Sequence, residues 1–367
     1  MRRALPWFIL LSLVAAGGAT LWVWTAIAVP YQGIAKEGVF VDIPRGATQR
    51  AGAHLLERSG VIRSALAFEL YARRHPKRTI VAGEYFFDHP VAGRDVFWTL
   101  ANGKVFQQPF VVREGETMFD IARELEAENF LKASDFLYEA NDPAPIRDLA
   151  PQAKTLEGFL FPATYQFPRH PAAREVASAM VQKFKAEWAR VATNSGNGAD
   201  PPSAVHVVTL ASLVERETPQ PAERPLVAGV FEHRLARRIA LQCDPTVIYA
   251  LERVAQYKGT LTSANLRFDS PYNTYRYPGL PPGPIGNPGE ASLRAAHDPA
   301  KTDYLYFVAN TQGGHFFAKT LTEHNRNVQR YHRLLAGLPA DPEPPAPAPP
   351  KKSGKHRGKG GTRRAAR

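Results

Sequence analysis

The amino-acid sequence predicts an α+β protein, in which helices and short strands are mixed rather than strictly alternating. The chain has 367 residues, of which 44% are hydrophobic, enough for one large domain or two ordinary ones with real cores. Apolar residues recur at helical spacing in several segments, and short apolar or aromatic runs between them are typical of strands. The single cysteine, Cys243, excludes an intrachain disulfide and a CxxC zinc or redox site.

Residues 1–30 are predicted to be a short cytoplasmic stub and a membrane anchor. Residues 4–29 carry no charge, and as a helix they would be about 39 Å long, enough to cross a hydrocarbon layer of about 30 Å. Because Arg2 and Arg3 precede this stretch, the N-terminus is expected in the cytoplasm and the rest of the chain across the membrane. A cleaved signal peptide is the alternative, since residues 26–28 resemble a cleavage site. The length of the apolar run favours the anchor.

The net charge of +12 is concentrated near the C-terminus. Residues 338–367 contain eight Lys or Arg against Asp341 and Glu343, a net charge of +6, and the body of the chain is nearly balanced. Nucleic-acid binding is therefore not predicted. Residues 339–367 have no large apolar side chain and are predicted to be a disordered basic tail that loosely meets anionic polymer or lipid.

Two segments repeat a strand, a glycine turn and a threonine that begins an amphipathic helix. Residues 43–48 and residues 112–117 both place a glycine two positions before a threonine, and threonine is a favoured helix N-cap. Units of this size suggest a carbohydrate-binding module of the LysM type in residues 31–108. An ordinary α+β packing unit fits the same pattern equally well.

Further elements are predicted from helical spacing and from short apolar runs. The segment after residue 191 is polar and contains glycine, so a loop is expected there. The predicted elements are a strand at 83–87, helices at 96–100, 172–191, 203–218 and 222–238, a loop at 194–202, a buried strand at 305–309 and a closing helix at 323–335.

Several kinds of site are excluded by their missing motifs. The chain has no GxxxxGK[ST] phosphate loop, GxSxG elbow, SxxK pair or HExxH helix. Its eleven histidines lack metal-ligand spacing, so neither a metal nor a cofactor is predicted. Cys243 has no histidine nearby in sequence and is more typical of packing than of a nucleophile. Among the kinds of site considered, catalysis by a carboxyl group is the one that the sequence does not exclude.

The helix predicted to end at Thr218 carries the most informative carboxylate. At about 100° per residue, Leu210, Leu213 and Val214 form one apolar stripe, which Glu217 continues and from which Glu215 points away. Burial and the helix dipole both favour a protonated carboxyl group there, as a general acid working near neutrality requires. A helix that frays early, with the carboxylate paired to an arginine, is the alternative.

Three polar clusters accompany this carboxylate and are typical of a sugar-binding groove. Residues 241–246 bring an amide, a carboxylate and a hydroxyl into a turn, and residues 271–275 interleave two aromatic rings with an amide and a hydroxyl. Residues 279–285 form a stiff loop of Gly and Pro that could build a wall. Aromatic faces suit the apolar side of a pyranose, whereas amides and hydroxyls suit its polar groups.

The sequence resembles the endolytic murein transglycosylase, or YceG-like, family. The resemblance runs from about residue 39 to residue 335, and two departures from the family pattern are Cys243, where a small hydroxyl residue is usual, and Ala163, where Asp is common. The blocks that carry it are residues 156–165, 211–218, 241–249, 272–275, 279–283, 305–309 and 313–315.

The resemblance implies a protein of the bacterial inner membrane with a LysM-like subdomain (31–108) and a periplasmic catalytic domain (109–338). The family cuts nascent peptidoglycan strands internally, between N-acetylmuramic acid and N-acetylglucosamine. It leaves 1,6-anhydro ends without using water, needs no cofactor and works beside penicillin-binding synthases of elongation and division. The glutamate taken as catalytic in the family corresponds to Glu217.

The remaining site residues are expected to adjust the acidity or orientation of Glu217, or to bind the sugars. Glu215 is expected to orient Glu217 or to serve as an alternate acid. The expected substrate contacts are Gln242, Asp244, Thr246, Tyr272, Asn273, Tyr275, Pro281 and His315. Two other functions stay open, a non-catalytic peptidoglycan-binding anchor and a hydrolytic muramidase in which Asp244 or Glu215 assists water.

Overall fold

The computed structural model describes residues 5–34, 36–193 and 203–339. It has the mixed helix and sheet content that the sequence predicts. The described residues fall into two compact units, one ending at Lys301 and the other beginning at Thr302. The loop expected over 194–202 and nearly all of the expected basic tail lie outside the described residues.

The first unit begins with the apolar helix α1 (Leu5–Ala28). Its segment Ile9–Ala28 has a mean hydropathy of 1.7 and is long and apolar enough to cross a membrane. Nearly all of this segment is exposed, as a helix that meets lipid requires. The helix is compatible with the predicted anchor, and its orientation stays a prediction.

A β-α-α-β arrangement follows α1, and its two strands pair in antiparallel register with Val41 opposite Tyr85. Alternate strand residues point into a core that also contains Phe68 and Phe97. The Thr48 hydroxyl accepts a hydrogen bond from Ala51 N and caps the first of the two helices, as predicted. The elements of this part are β1 (Val39–Ile43), α2 (Gln49–Arg58), α3 (Ala65–Arg73), β2 (Gly83–Phe87) and α4 (Gly93–Ala101).

The predicted repeat is confirmed in the second copy, where β3 (Gln108–Val111) leads to α5 (Met118–Ala127). Thr117 and Asp120 form a reciprocal capping box at the start of α5. The preceding glycines of the two copies, Gly46 and Gly115, have φ of +79° and +82°, a left-handed conformation that favours glycine. The LysM-like assignment of the first copy stays a prediction.

The rest of the first unit is a helical assembly around α8, whose residues 207–214 are all buried. The helices predicted over 172–191, 203–218 and 222–238 are present to within two residues, whereas three shorter helices were not predicted. The elements are α6 (Ala133–Ala140), β4 (Thr164–Phe167), α7 (Ala173–Ala192), α8 (Ala204–Glu217), α9 (Arg224–Ala236), α10 (Asp244–Glu252) and α11 (Glu290–His297). Strand β4 pairs with β3 in antiparallel register.

The second unit is a β-hairpin followed by a helix. Strand β5 (Tyr306–Ala309) pairs with β6 (His315–Ala318), and the capped helix α12 (Leu321–Leu335) packs on both strands. The strand predicted over 305–309 is present, but the prediction that it is buried is wrong, because residues 306–308 are only half-buried in a two-stranded sheet covered by one helix.

Gly158 tests how tightly the helical assembly is packed. Its φ is +85°, and an added Cβ would lie 2.5 Å from Pro284 Cβ and 2.8 Å from Val208 Cγ1. Gly259 has nearly the same φ, +86°, with open space around it. We expect Gly259→Ala to cost about 1 kcal/mol from backbone strain, and Gly158→Ala to cost about 1–3 kcal/mol more from the clash.

Urea unfolding of the two variants in detergent, followed by circular dichroism, measures both free energies. Equal losses of stability would contradict the packing seen at Gly158.

Candidate active site

Glu217 is the last residue of α8, and the helix does not fray before it. Thr218 N donates to Val214 O at 3.2 Å, and Thr218 itself turns to an extended conformation. Glu217 is partly exposed, and its carboxylate is hydrogen-bonded to the buried thiol of Cys243. The carboxylate therefore lies at the junction of α8 with the start of α10.

The two polar turns predicted to accompany Glu217 are joined to each other through Thr274. Its carbonyl accepts from Gln242 N at 3.2 Å, and its Oγ1 accepts from Cys243 N at 3.0 Å. The hydroxyls of Thr274 and Thr246 lie 2.9 Å apart. These bonds hold the turn of residues 241–246 against the turn of residues 271–275.

The accessible edge of this junction brings together four of the predicted residues. Tyr275 Oη donates to Asp244 Oδ1 at 2.6 Å. Burial raises the pKa of Tyr275, and the hydrogen bond to Asp244 and the nearby charges of Asp244 and Glu217 raise it further. Gln242 is exposed and its Oε1 accepts from Arg234 Nη2 at 3.0 Å. Glu217, Gln242, Asp244 and Tyr275 thus present acidic, amide and phenol groups to solvent at one place.

Two of the predicted substrate contacts lie beneath this edge. Asn273 and Thr246 are fully buried. Asn273 Nδ2 donates to Leu266 O and to Phe268 O, and its Oδ1 accepts from Tyr275 N. The Thr246 hydroxyl donates to Cys243 O at 2.6 Å. In this structure both side chains hold the turns in shape, and neither presents a surface to a sugar.

The other predicted contacts have different surroundings. Tyr272 is half-buried, with its ring 5.1 Å from that of Tyr249 and 4.9 Å from the guanidinium of Arg253. Pro281 is buried in the Gly/Pro loop. His315 begins β6 in the second unit, with its ring 5.3 Å from that of Phe307.

Glu215 is held differently from Glu217, although the two lie two residues apart. Its side chain is 5% exposed and pairs with Arg224 Nη2 at 2.7 Å. Its other oxygen accepts from Gly289 N, at the start of α11, at 2.9 Å. Burial raises the pKa of Glu215, and the Gly289 N–H and the Arg224 charge partly oppose this. Through Arg224 and Gly289, Glu215 ties α8 to α9 and α11.

The Gly/Pro loop is fastened to the helix that carries Glu217. Ile285 N donates to Ser212 Oγ at 3.0 Å, and Arg216 Nη1 donates to Ile285 O at 3.3 Å. Both partners are on α8, four residues apart. The loop is therefore held as a fixed wall beside α8, consistent with the prediction made from its composition.

Glu157 is a buried carboxyl group to which the sequence analysis gave no role. Its oxygens accept from Met118 N at 3.1 and 3.2 Å, from Tyr249 Oη at 3.0 Å and from Asn287 Nδ2 at 3.2 Å. It is 2% exposed. Burial raises the pKa of Glu157 to about 8, against the opposing effect of the Tyr249 and Met118 hydrogen bonds. One carboxyl group thus joins the start of α5, helix α10 and Asn287, which lies two residues after the Gly/Pro loop.

The sequence does contain a signal for Glu157. It lies among apolar residues in the block 156–161 (Leu-Glu-Gly-Phe-Leu-Phe), where a lone charge has to find partners to be buried. Those partners are distant in sequence, so the spacing could not identify them. Among the described residues, no group of three or more His, Cys, Asp or Glu side chains could hold a metal ion.

The family model for the YceG-like family matches residues 41–330, which contain α8, both turns and the Gly/Pro loop. The chain belongs to the YceG-like family. The match includes both copies of the repeat and most of the second unit's described residues.

Relatives in this family carry a functional name. The chain is 34% identical over 334 residues to a Bacillus subtilis protein named endolytic murein transglycosylase, covering 86% of this chain and 90% of that one. A Streptococcus pneumoniae protein of the same name is 27% identical over 362 residues, 89% of this chain and 64% of that one. The crystal structure of a YceG-like protein from Listeria monocytogenes has a TM-score of 0.52 at 34% identity, covering 80% of this chain and 99% of that one.

Glu157→Gln tests the hydrogen bonds that the buried carboxyl group of Glu157 accepts. An amide nitrogen cannot accept from Met118 N, Tyr249 Oη or Asn287 Nδ2, so one donor is left without a partner, at a cost of about 1–3 kcal/mol. The folded carboxyl group keeps its proton up to a pH of about 8, whereas an unfolded one ionises near a pH of about 4.3. Between these values the folded state binds one more proton, so the contribution of Glu157 to the free energy of unfolding falls as pH rises.

The expected result is that the variant is less stable at pH 5 and that its stability deficit shrinks towards pH 9. Urea unfolding across this range measures the difference, with Glu128→Gln as the exposed matched control. A deficit that stays constant with pH would contradict the assigned titration.

Proposed function

We propose that this chain is an endolytic murein transglycosylase, which cleaves peptidoglycan glycan strands internally. Membership of the YceG-like family and the shared name of relatives up to 34% identical support this proposal. The observation that carries it is the partly exposed carboxylate of Glu217, bonded to Cys243 beside Asp244 and Tyr275. A carboxyl group with one face in solvent and the other on a buried donor can exchange a proton with a bound sugar.

In the first step, protonated Glu217 is the general acid. It donates its proton to the glycosidic oxygen between N-acetylmuramic acid and N-acetylglucosamine while the bond from that oxygen to C1 breaks. The departing N-acetylglucosamine keeps the proton as its C4 hydroxyl. Positive charge develops at C1 of the muramic acid, and the adjacent Glu217 carboxylate stabilises it.

In the second step, the same carboxylate is the general base. It removes the proton of the muramyl C6 hydroxyl, whose oxygen attacks C1 and closes a 1,6-anhydro ring. The proton lost in the first step is thereby recovered, and no water is consumed. One carboxyl group is sufficient, because the nucleophile belongs to the substrate.

The neighbouring residues divide into those that position the acid and those that meet the sugars. Glu215 fixes the end of α8 through Arg224 and Gly289, so we assign it a positioning role. The side chains available to sugar hydroxyls and N-acetyl groups are Gln242, Asp244, Tyr272 and Tyr275. Thr246 and Asn273 support them from below.

Hydrolysis is the second candidate, because Asp244 supplies another carboxylate at the same edge. In an inverting hydrolase a second carboxylate activates water on the opposite face of the sugar. The Tyr275 hydroxyl already donates to Asp244 Oδ1, so this carboxylate oxygen is engaged by a donor of the protein. This contact favours the reaction that needs no second carboxylate.

We further propose that α1 anchors the protein in the bacterial inner membrane, with a cytoplasmic N-terminus and residues 31–108 as a LysM-like glycan-binding part. The apolar span and the preceding arginines support this topology. An anchored enzyme would meet strands as they are made at the same membrane. Penicillin-binding synthases of elongation or division are the partners that such a position favours.

Glu217→Gln tests the catalytic assignment. The amide keeps the size of the side chain and has no transferable proton, so formation of anhydro-ended fragments should fall at least about 100-fold. Mass spectrometry of glycan strands incubated with the full-length protein measures these ends, and circular dichroism reports whether the fold is kept. Glu128→Gln, at an exposed glutamate on the C-cap of α5, is the matched control and should retain activity.

A folded Glu217→Gln protein that still produces anhydro ends would refute the role of this residue. A wild-type protein that leaves glycan lengths unchanged would instead support a non-catalytic anchor.

A further inference from the structure

The last turns of α1 are part of the folded subdomain that follows, so no linker separates the apolar helix from it. Ala26 and Ile27 of α1 belong to the same hydrophobic core as Phe68 of α3, and Val23 packs against this core. Ala26 and Ile27 are only 3% and 7% exposed. Gly93, the first residue of α4, lies so close that an added Cβ would be 3.2 Å from Ile27 Cδ1. The end of the apolar helix is therefore part of the folded subdomain.

The free length of α1 fixes where this subdomain meets the membrane. From Leu5 to Trp22 the helix is about 27 Å long, which is close to the hydrocarbon thickness of about 30 Å. Trp22 and Trp24 are 43% and 60% exposed, and tryptophan is typical of the membrane–water interface. Because Ala26 and Ile27 are within the core and Val23 packs against it, a spanning α1 holds the subdomain directly against the lipid headgroups.

The start of α3 lies beside the point where the chain leaves α1. Tyr31 N donates to Val91 O at 3.1 Å, and the Arg63 guanidinium lies 5.5 Å from the centre of the Tyr31 ring. Gly33 packs so closely on Gly60 that an added Cβ would be 2.7 Å from Gly60 O. The residues just before α3 are thus held to the residues just after α1.

The outer face of α3 has the composition of a helix that rests on a membrane surface. Leu66 and Leu70 are 58% and 39% exposed. They lie on one helical face with Arg73, because positions i, i+4 and i+7 are aligned. Residues 63–78 contain five Lys or Arg against one acidic residue, Glu69. Exposed leucines flanked by cations bind the boundary between headgroups and acyl chains, and the cations attract anionic lipid.

We propose that the outer face of α3, defined by Leu66, Leu70 and Arg73, lies in the headgroup layer of the membrane that α1 spans and binds anionic phospholipid there. The inference rests on α1 being a membrane anchor and goes beyond the cleavage of glycan strands. With α1 and α3 both held by the bilayer, the subdomain cannot rotate freely about the anchor. The rest of the first unit is then presented to the glycan in a restricted orientation.

Fluorescence quenching in lipid nanodiscs tests the proposal on the full-length protein. Cysteines introduced as Leu66→Cys and Leu70→Cys are labelled with a polarity-sensitive dye, while the natural Cys243 is 2% exposed and protected. The nanodiscs contain phosphatidylglycerol and lipids that carry a quencher near the headgroup, and a parallel set carries the quencher on the acyl chain to reach the label at 13. Tyr138→Cys, at a 79% exposed position on α6, is the control for a water-facing label, and Leu13→Cys in α1 is the control for the span.

The expected result is that labels at 66 and 70 are quenched at least about twofold more than the label at 138. Arg73→Gln should reduce this difference, as should replacing phosphatidylglycerol by a zwitterionic lipid or adding salt. If the label at 13 is quenched and those at 66 and 70 behave like the label at 138, the proposal is overturned while the anchor stands. Loss of quenching on addition of glycan strands would overturn it in favour of a glycan surface.

Lipid binding by the outer face of α3 and cleavage of glycan strands are tested by separate measurements, so one can be refuted while the other stands. Leu66→Ser combined with Leu70→Ser should weaken quenching of a label at Arg63→Cys in nanodiscs, while circular dichroism shows that the fold is kept. Unchanged quenching in this double variant would contradict a lipid-binding role for the two leucines.

Discussion

The contact between Glu217 and Cys243 is the interaction on which the rest of the site depends. It joins the end of α8 to the start of α10 and gives a carboxylate one buried partner and one face towards solvent. The bonds around it keep both helix ends in place: Thr274 fastens the two polar turns, and Ile285 fastens the Gly/Pro wall to α8. Burial of residues 207–214 of α8 gives these bonds a rigid base.

Three glutamates near this junction differ through their surroundings rather than their chemistry. Glu157 is enclosed among neutral donors, and its pKa is raised to about 8. Glu215 is enclosed with Arg224, so its charge is compensated. Glu217 is partly exposed and is hydrogen-bonded to the Cys243 thiol. Glu157 and Glu215 thus hold helices in place through these contacts, and the proposed mechanism leaves Glu217 as the carboxyl group that exchanges a proton.

The sequence predicted best those features that depend on local chemistry. The helix predicted over 203–218 is present as α8 with Ser203 as its N-cap, and both threonine-capped repeats are present. Helix α10 was not predicted, because its first turn contains Asp244 and Pro245 and has the composition of a turn. The sequence indicated which polar residues gather at the site, but it could not tell which of them lie beneath the surface, since burial depends on partners far along the chain.

The central chemical claim is that the substrate's own hydroxyl, and not water, completes the reaction at Glu217. The direct measurement is mass spectrometry of glycan fragments formed by the full-length protein in ¹⁸O-labelled water. A single carboxyl group acting in turn as acid and base predicts 1,6-anhydro ends that contain no ¹⁸O. Reducing ends that carry the label would show that water attacks C1, and they would contradict the account.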